Sequence, residues 1–126
     1  MVKDFLIFNF IGKENKIGLR VNNSFYFHVL DKQTDKDQLI LSVLNMIEKY
    51  KVNIDRNFSV LVNIGPGSFS SLRTSLAVAK GIRISKKINL LGYKNSDLSQ
   101  FNPDNIDLLI KKKLVQKNLI KPIYLS

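Results

Sequence analysis

Residues 62–73, VNIGPGSFSSLR, place Gly65 and Gly67 on either side of Pro66 where an apolar run gives way to a helical pattern. That is a setting in which backbone N–H groups can cradle a phosphate. A nucleotide P-loop also needs a lysine followed by Ser or Thr, to reach the terminal phosphates and a magnesium ion. Here Gly67 is followed by Ser68, Phe69, Ser70 and Ser71. A dinucleotide fingerprint would need a third glycine where Ser70 stands, and Pro66 removes one N–H donor. Two readings remain. One is generic anion contact through the free amides and dipole of the next helix. The other is conformational: Gly65 and Gly67 give a tight strand-to-helix bend its backbone freedom, and Phe69 packs beneath it.

Other chemistries are tested by the residues they require. Two-metal nuclease chemistry of the ribonuclease H kind wants one carboxylate on the first strand and another near the end of the fourth. Asn9 and Gly65 occupy those neighbourhoods, while Asp35 and Asp37 fall where a helix begins and capping accounts for them. The absence of cysteine excludes disulfides, thiol nucleophiles and cysteine-held metals. The lone His28 cannot supply paired histidines, and no Ser-His-Asp set can be assembled around it. It sits in an aromatic run and reads as a packed or edge-exposed strand residue.

The elements that must position the bend follow from periodicity. FLIFNFI, KIGLRV and SFYFHVL are three β-rich runs separated by GKEN and NN, so three antiparallel strands are predicted. Asp35 with Gln38 forms a capping-box pattern, and Leu39, Ile40, Val43, Leu44, Ile47 and Tyr50 recur at helical spacing. FSVLVNI is nearly all apolar, as expected of a strand covered on both faces, and leads through the bend into the helix SLRTSLAVAKGI. INLLGY is a fifth strand; after the polar loop NSDLSQFNPDN a last helix is expected over Ile106 to Asn118, with Pro122 helping to stop it. The order β-β-β-α-β-α-β in an α/β mixed sheet matches the ribonuclease H-like half of the actin-like ATPase (ASKHA) fold.

Length and charge bound the partners. A chain of 126 residues fits one domain, which buries roughly two thirds of the surface its unfolded chain exposes. With 44% hydrophobic and 24% charged residues it has a globular composition. No apolar run approaches the roughly 18 to 20 residues of a membrane span, and a cytoplasmic location without membrane partners is expected. The net charge of +10 is uneven: up to Leu72 there are 9 basic and 7 acidic residues, and beyond it 11 and 3, giving +2 and +8. A cationic second half suits phosphate backbones, so a stand-alone RNA-binding module is one reading, with Phe25, Tyr26 and Phe27 as stacking groups. Strand alternation points Tyr26 opposite to Phe25 and Phe27, so the three cannot stack together. Solvated lysine surface is the plainer reading.

In the helix after the bend, Ser71, Ser75 and Ala79 lie four apart and keep one face short, with Leu72, Leu76 and Ile82 beside it. Such a stripe lets another helix approach closely, within the domain or from a partner.

These residues resemble a known signature. GPGSFSSLRTSLAVAKGI is similar to the stretch G-P-G-S-F-T-G-L-R and its small-residue helix in the TsaB family, also called YeaZ: Gly65, Pro66, Gly67, Ser68, Phe69, Leu72 and Arg73 match, as do Ala77, Ala79 and Gly81. INLLGYKNSDL and the terminal KPIYLS resemble the family's following strand and its closing P-x-Y-L-R. Ser70 stands for threonine, Ser71 and Ser75 for small glycines, and Asn9-Phe10 for an aspartate-threonine pair. Family chains are commonly much longer, so the resemblance is to a shortened member: residues 1–100 as the ribonuclease H-like domain and 101–126 as a remnant of the second.

The resemblance implies a non-catalytic scaffold. TsaB-like proteins bind TsaD, which transfers threonylcarbamoyl to the adenosine beside the anticodon of certain tRNAs, with the ATPase TsaE completing the complex. The first-domain helices pair with their counterparts in TsaD, and the same surface can form homodimers. Carried onto this chain, the partner-facing residues are Leu39, Val43, Ile47, Phe69, Leu72, Arg73, Leu76, Ala79 and Lys80, with Gly65, Pro66, Gly67 and Ser68 as the signature turn. No cofactor is expected on this chain alone; ATP or ADP would belong to the boundary with TsaD, and tRNA would be the substrate of the complex.

Overall fold

The computed structural model describes residues 4–12, 14–31, 33–117, 120 and 122–123. A meander comes first: β1 (Phe5–Asn9), β2 (Asn15–Val21) and β3 (Ser24–Leu30) pair antiparallel, with Asn22 and Asn23 taking positive φ in the two-residue turn between β2 and β3. Asparagine tolerates that conformation, so the turn is local chemistry. Helix α1 (Lys36–Lys49) starts at a complete capping box, in which Asp35 accepts from the Gln38 amide and Gln38 accepts from the Asp35 amide. Then come β4 (Ser59–Asn63), α2 (Phe69–Lys86) and β5 (Asn89–Tyr93), whose strands lie parallel to β1 and to each other.

The six-stranded sheet runs β3-β2-β1-β4-β5-β6, the last being the two-residue β6 (Val115–Gln116), antiparallel to β5. The mixed sheet with this crossover order is the ribonuclease H-like arrangement. Every residue of β4 is buried, because side chains leave it towards two different cores. On one face α1 and α2 cover Phe8, Leu19, Val60, Val62 and Leu90. On the other, α3 (Pro103–Lys111) buries Ile106 and Leu109 against Phe5, Ile7, Leu61, Leu91 and Tyr93.

The last helix corrects the sequence expectation of 106–118. It begins at Pro103, where proline's fixed φ suits the first helical position and Asn102 accepts from the Asn105 amide. It stops at Lys111, and Lys113 (φ 55°) turns the chain back so that Val115 and Gln116 form β6. Pro122 therefore does not end this helix. The closing KPIYLS pattern falls largely outside the described residues.

Candidate functional site

The bend follows from close packing between two loops. Gly65 has φ +98°, a region that side-chain-bearing residues rarely adopt, and a Cβ there would meet the Ile123 carbonyl oxygen. Gly12, at φ +102°, leaves room for Ser68, whose Cβ would lie 2.7 Å from a side chain at that position. Gly67 lies against Ile11, and the Ser68 amide donates to the Ile11 carbonyl at 3.1 Å. The peptide between Gly65 and Pro66 is cis. Ser68 then caps α2, its Oγ accepting from the Ser71 amide at 3.3 Å.

A phosphate cradle would need these amides turned outward. Gly65 donates instead to Asn63 Oδ1 at 2.8 Å, Ser68 to Ile11, Ser71 to Ser68 and Leu72 to the Ser68 carbonyl. Those donors are spent within the fold, and the corner acts as a joint that aims α2. Phe69 does not pack beneath it. It is exposed, with the Arg73 guanidinium 5.0 Å over its ring, because the first turn of α2 carries residue 69 away from the sheet.

Behind the corner, the ends of β1, β4 and β5 hold a closed polar cluster. Asn63 Nδ2 donates to Asn9 Oδ1 (2.7 Å) and Asn95 Oδ1 (3.1 Å), and the Tyr93 hydroxyl donates to Asn9 Oδ1 (2.9 Å) and lies 3.2 Å from the Phe8 carbonyl. Burial pushes the Tyr93 phenol well above its ordinary value, the Asn63 side chain pulling partly against that. The fourth-strand position facing Asn9 is Asn63, not Gly65, because β4 ends at residue 63. Sequence reasoning missed Asn63, whose signal was a carboxamide inside an otherwise apolar strand. Neutral amides that donate to one another make a poor cation site, and the described residues contain no group of three His, Cys, Asp or Glu placed to hold a metal.

The partner-facing residues expected from the sequence divide sharply. Leu39, Val43, Leu72, Leu76 and Ala79 are buried, since that side of both helices covers the sheet; Ile47 is half-buried; Phe69, Arg73 and Lys80 are exposed. Ser71 and Ser75 are buried too, and Ser75 Oγ donates to the Leu72 carbonyl at 3.2 Å, so the small-residue stripe serves α2's approach to its own domain. The outward apolar surface lies one step round the helices. Ile40, Leu41 and Leu44 on α1 are exposed, Leu44 to 56%. Between α1 and α2 runs an open apolar groove of ≈ 260 Å³ bordered by Ile40, Leu44, Ile47, Val78, Gly81 and Ile82. Gly81 leaves it deep: a Cβ built there meets nothing within 4 Å.

The aromatic run on β3 splits as alternation requires. Phe25 and Phe27 cluster with Phe101, whereas Tyr26 stacks on Tyr50 of the α1 C-cap at 3.9 Å between ring centroids. His28 is exposed on the edge strand. No helix among the described residues is long and apolar enough to cross a membrane.

No family model matches the sequence, and no curated protein matches it. Solved structures do. YeaZ from Pseudomonas aeruginosa superposes with a TM-score of 0.66 at 16% identity, over 77% of this chain and 45% of that one. A second structure, described as an uncharacterized protein with similarity to peptidase YeaZ from Pseudomonas aeruginosa, gives the same score and identity, over 77% of this chain and 44% of that one. The chain thus has the fold of YeaZ and spans less than half the length of those proteins.

Proposed function

We propose that this chain, built on the YeaZ fold, is a non-catalytic docking subunit whose α1–α2 groove receives a helix of a TsaD-type threonylcarbamoyl transferase. In that role it supports the partner as it modifies the adenosine beside the anticodon of tRNA, with TsaE joining through the complex. One observation carries the reading: Ile40 and Leu44 stand exposed along a groove that Gly81 keeps open. The signature turn's resemblance to the TsaB family, together with the shared fold, is what suggests TsaD as the partner. Covering the exposed part of Leu44 contributes about 1 kcal/mol, so a helix laid along the groove gains affinity from a few anchors of this kind. A second copy of the chain competes for the same surface. The non-catalytic reading is supported against a nuclease by strand ends that carry hydrogen-bonded amides where a two-metal nuclease would carry acids.

The test is co-purification with the cognate TsaD. Leu44→Arg places a charge on the groove's rim and is expected to abolish the complex while leaving thermal unfolding unchanged. A complex that survives this substitution places the interface elsewhere. Tight tRNA binding by the isolated chain, falling steeply with salt, would instead favour a stand-alone RNA-binding module.

A further inference from the structure

We infer that the chain carries a second binding site, at the end of the sheet away from the Gly-Pro-Gly corner: a cleft of ≈ 680 Å³ that takes a phosphomonoester with a flat, partly apolar body. The cleft is of the size that holds small organic ligands. It forms where the first residues of β4 and β5, Ser59 and Asn89, pair side by side, and where the ends of α2 and α3 deliver cations from two directions.

Charge sets the ligand class. Arg83 from the last turn of α2, with Lys113 and Lys117 from the segment after α3, border the cleft. None of the three has an ion-pair partner among the described residues, and no acidic side chain lines the cleft. Cations at helix C-termini ordinarily answer the helix dipole. Each C-terminus is worth about half a negative charge, so two offset only about one of the three positive charges. An excess of about two remains, matching the charge of about −1.5 to −2 on a phosphomonoester at neutral pH.

The rest of the lining fits the body of such a ligand. Ile88, Ile110 and Val115 give an apolar wall. Asn89 uses its Nδ2 on the Arg56 carbonyl at 3.2 Å, which leaves Oδ1 as an acceptor. Ser59 borders the cleft beside Asn89 and adds a small hydroxyl to its lining. A heterocycle with ring donors and acceptors suits this polar edge beside the apolar wall, and a nucleoside monophosphate combines it with the phosphate that the cations call for.

Isothermal titration of the full chain, without any partner protein, tests this separately from the docking role. Adenosine 5′-monophosphate is expected to bind saturably, with adenosine and inorganic phosphate each about ten-fold or more weaker. The double substitution Arg83→Gln with Lys113→Asn, both at exposed positions, is expected to weaken the monophosphate about ten-fold or more; asparagine suits the positive φ of residue 113. Adenosine binding as tightly as its monophosphate, or monophosphate binding unchanged in the double variant, overturns the assignment. So does a 5′-hydroxyl RNA oligonucleotide that outcompetes the monophosphate, because the cleft would then be a track for polyanions. The wild-type ligand series decides the matter even if the variant fails to fold.

Discussion

Asn63 Nδ2 lies 2.7 Å from Asn9 Oδ1, joining the ends of two parallel strands where a ribonuclease H-like enzyme would set two carboxylates against each other. The pair is neutral, internally satisfied and backed by Tyr93 and Asn95. It braces the strand ends from which the corner turns into α2.

Asn63→Asp tests that bracing. The substitution replaces a donor by an acceptor-only carboxylate facing two carbonyl oxygens, at a site 1% exposed. It is expected to cost about 3 kcal/mol at neutral pH. Burial raises the new carboxyl's pKa above its unfolded value of about 3.9, so the deficit is small below that pH and grows as pH rises through the folded value. Urea unfolding at about pH 4 and about pH 7 reads the difference; an equal deficit at both contradicts the account.

Tyr93 gives an alkaline counterpart. Because burial raises the phenol above its ordinary 10.0, the unfolded chain ionises first. The contribution is complete below pH about 10 and is lost as pH rises beyond it. Tyr93→Phe is expected to cost about 1 kcal/mol at neutral pH, by losing the hydroxyl's contacts with Asn9 and Phe8, and to show a shallower alkaline decline. Parallel declines in wild type and variant would remove Tyr93 from the explanation.

Leu109→Ala asks whether α3 belongs to the same cooperative unit as the sheet. Leu109 is fully buried against Phe5, Leu61 and Tyr93, so about 2–5 kcal/mol is expected from urea unfolding, in a single transition. A separate early transition would mean that α3 folds on its own.

Gly81→Ala should stabilise the chain by about 0.5–1 kcal/mol, since the added methyl meets no atom and glycine is a poor helix former. A lowered urea midpoint would mean that the groove floor is more crowded than the structure has it.

Much of this was legible because it is local chemistry. The Asn22–Asn23 turn, the Asp35–Gln38 box and the apolar run of β4 each announce their element, and the glycines announce the corner. Three things were not. The start of α3 at Asn102–Pro103 was lost in a polar stretch although proline at the first helical position signals it. The side of α2 that faces inward depends on how two helices share one sheet, so whether the stripe of small residues packs within the domain or against a partner stayed open until the fold showed Ser71, Ser75 and Ala79 buried. Asn9 and Asn63 lie 54 positions apart, and the cleft brings Arg83 at the end of α2 together with Lys113 and Lys117 from the segment after α3; proximity of that kind comes only with the assembled sheet.

The docking role turns on whether the α1–α2 groove must be empty for a partner helix to enter. Gly81→Phe places a ring in that groove from a position where an added Cβ meets nothing within 4 Å, and complex formation with the cognate TsaD can be followed by light scattering after size exclusion. Affinity about ten-fold or more lower, with the urea midpoint of the isolated chain not reduced, is the expected result. Unaltered affinity in a folded Gly81→Phe chain would contradict it.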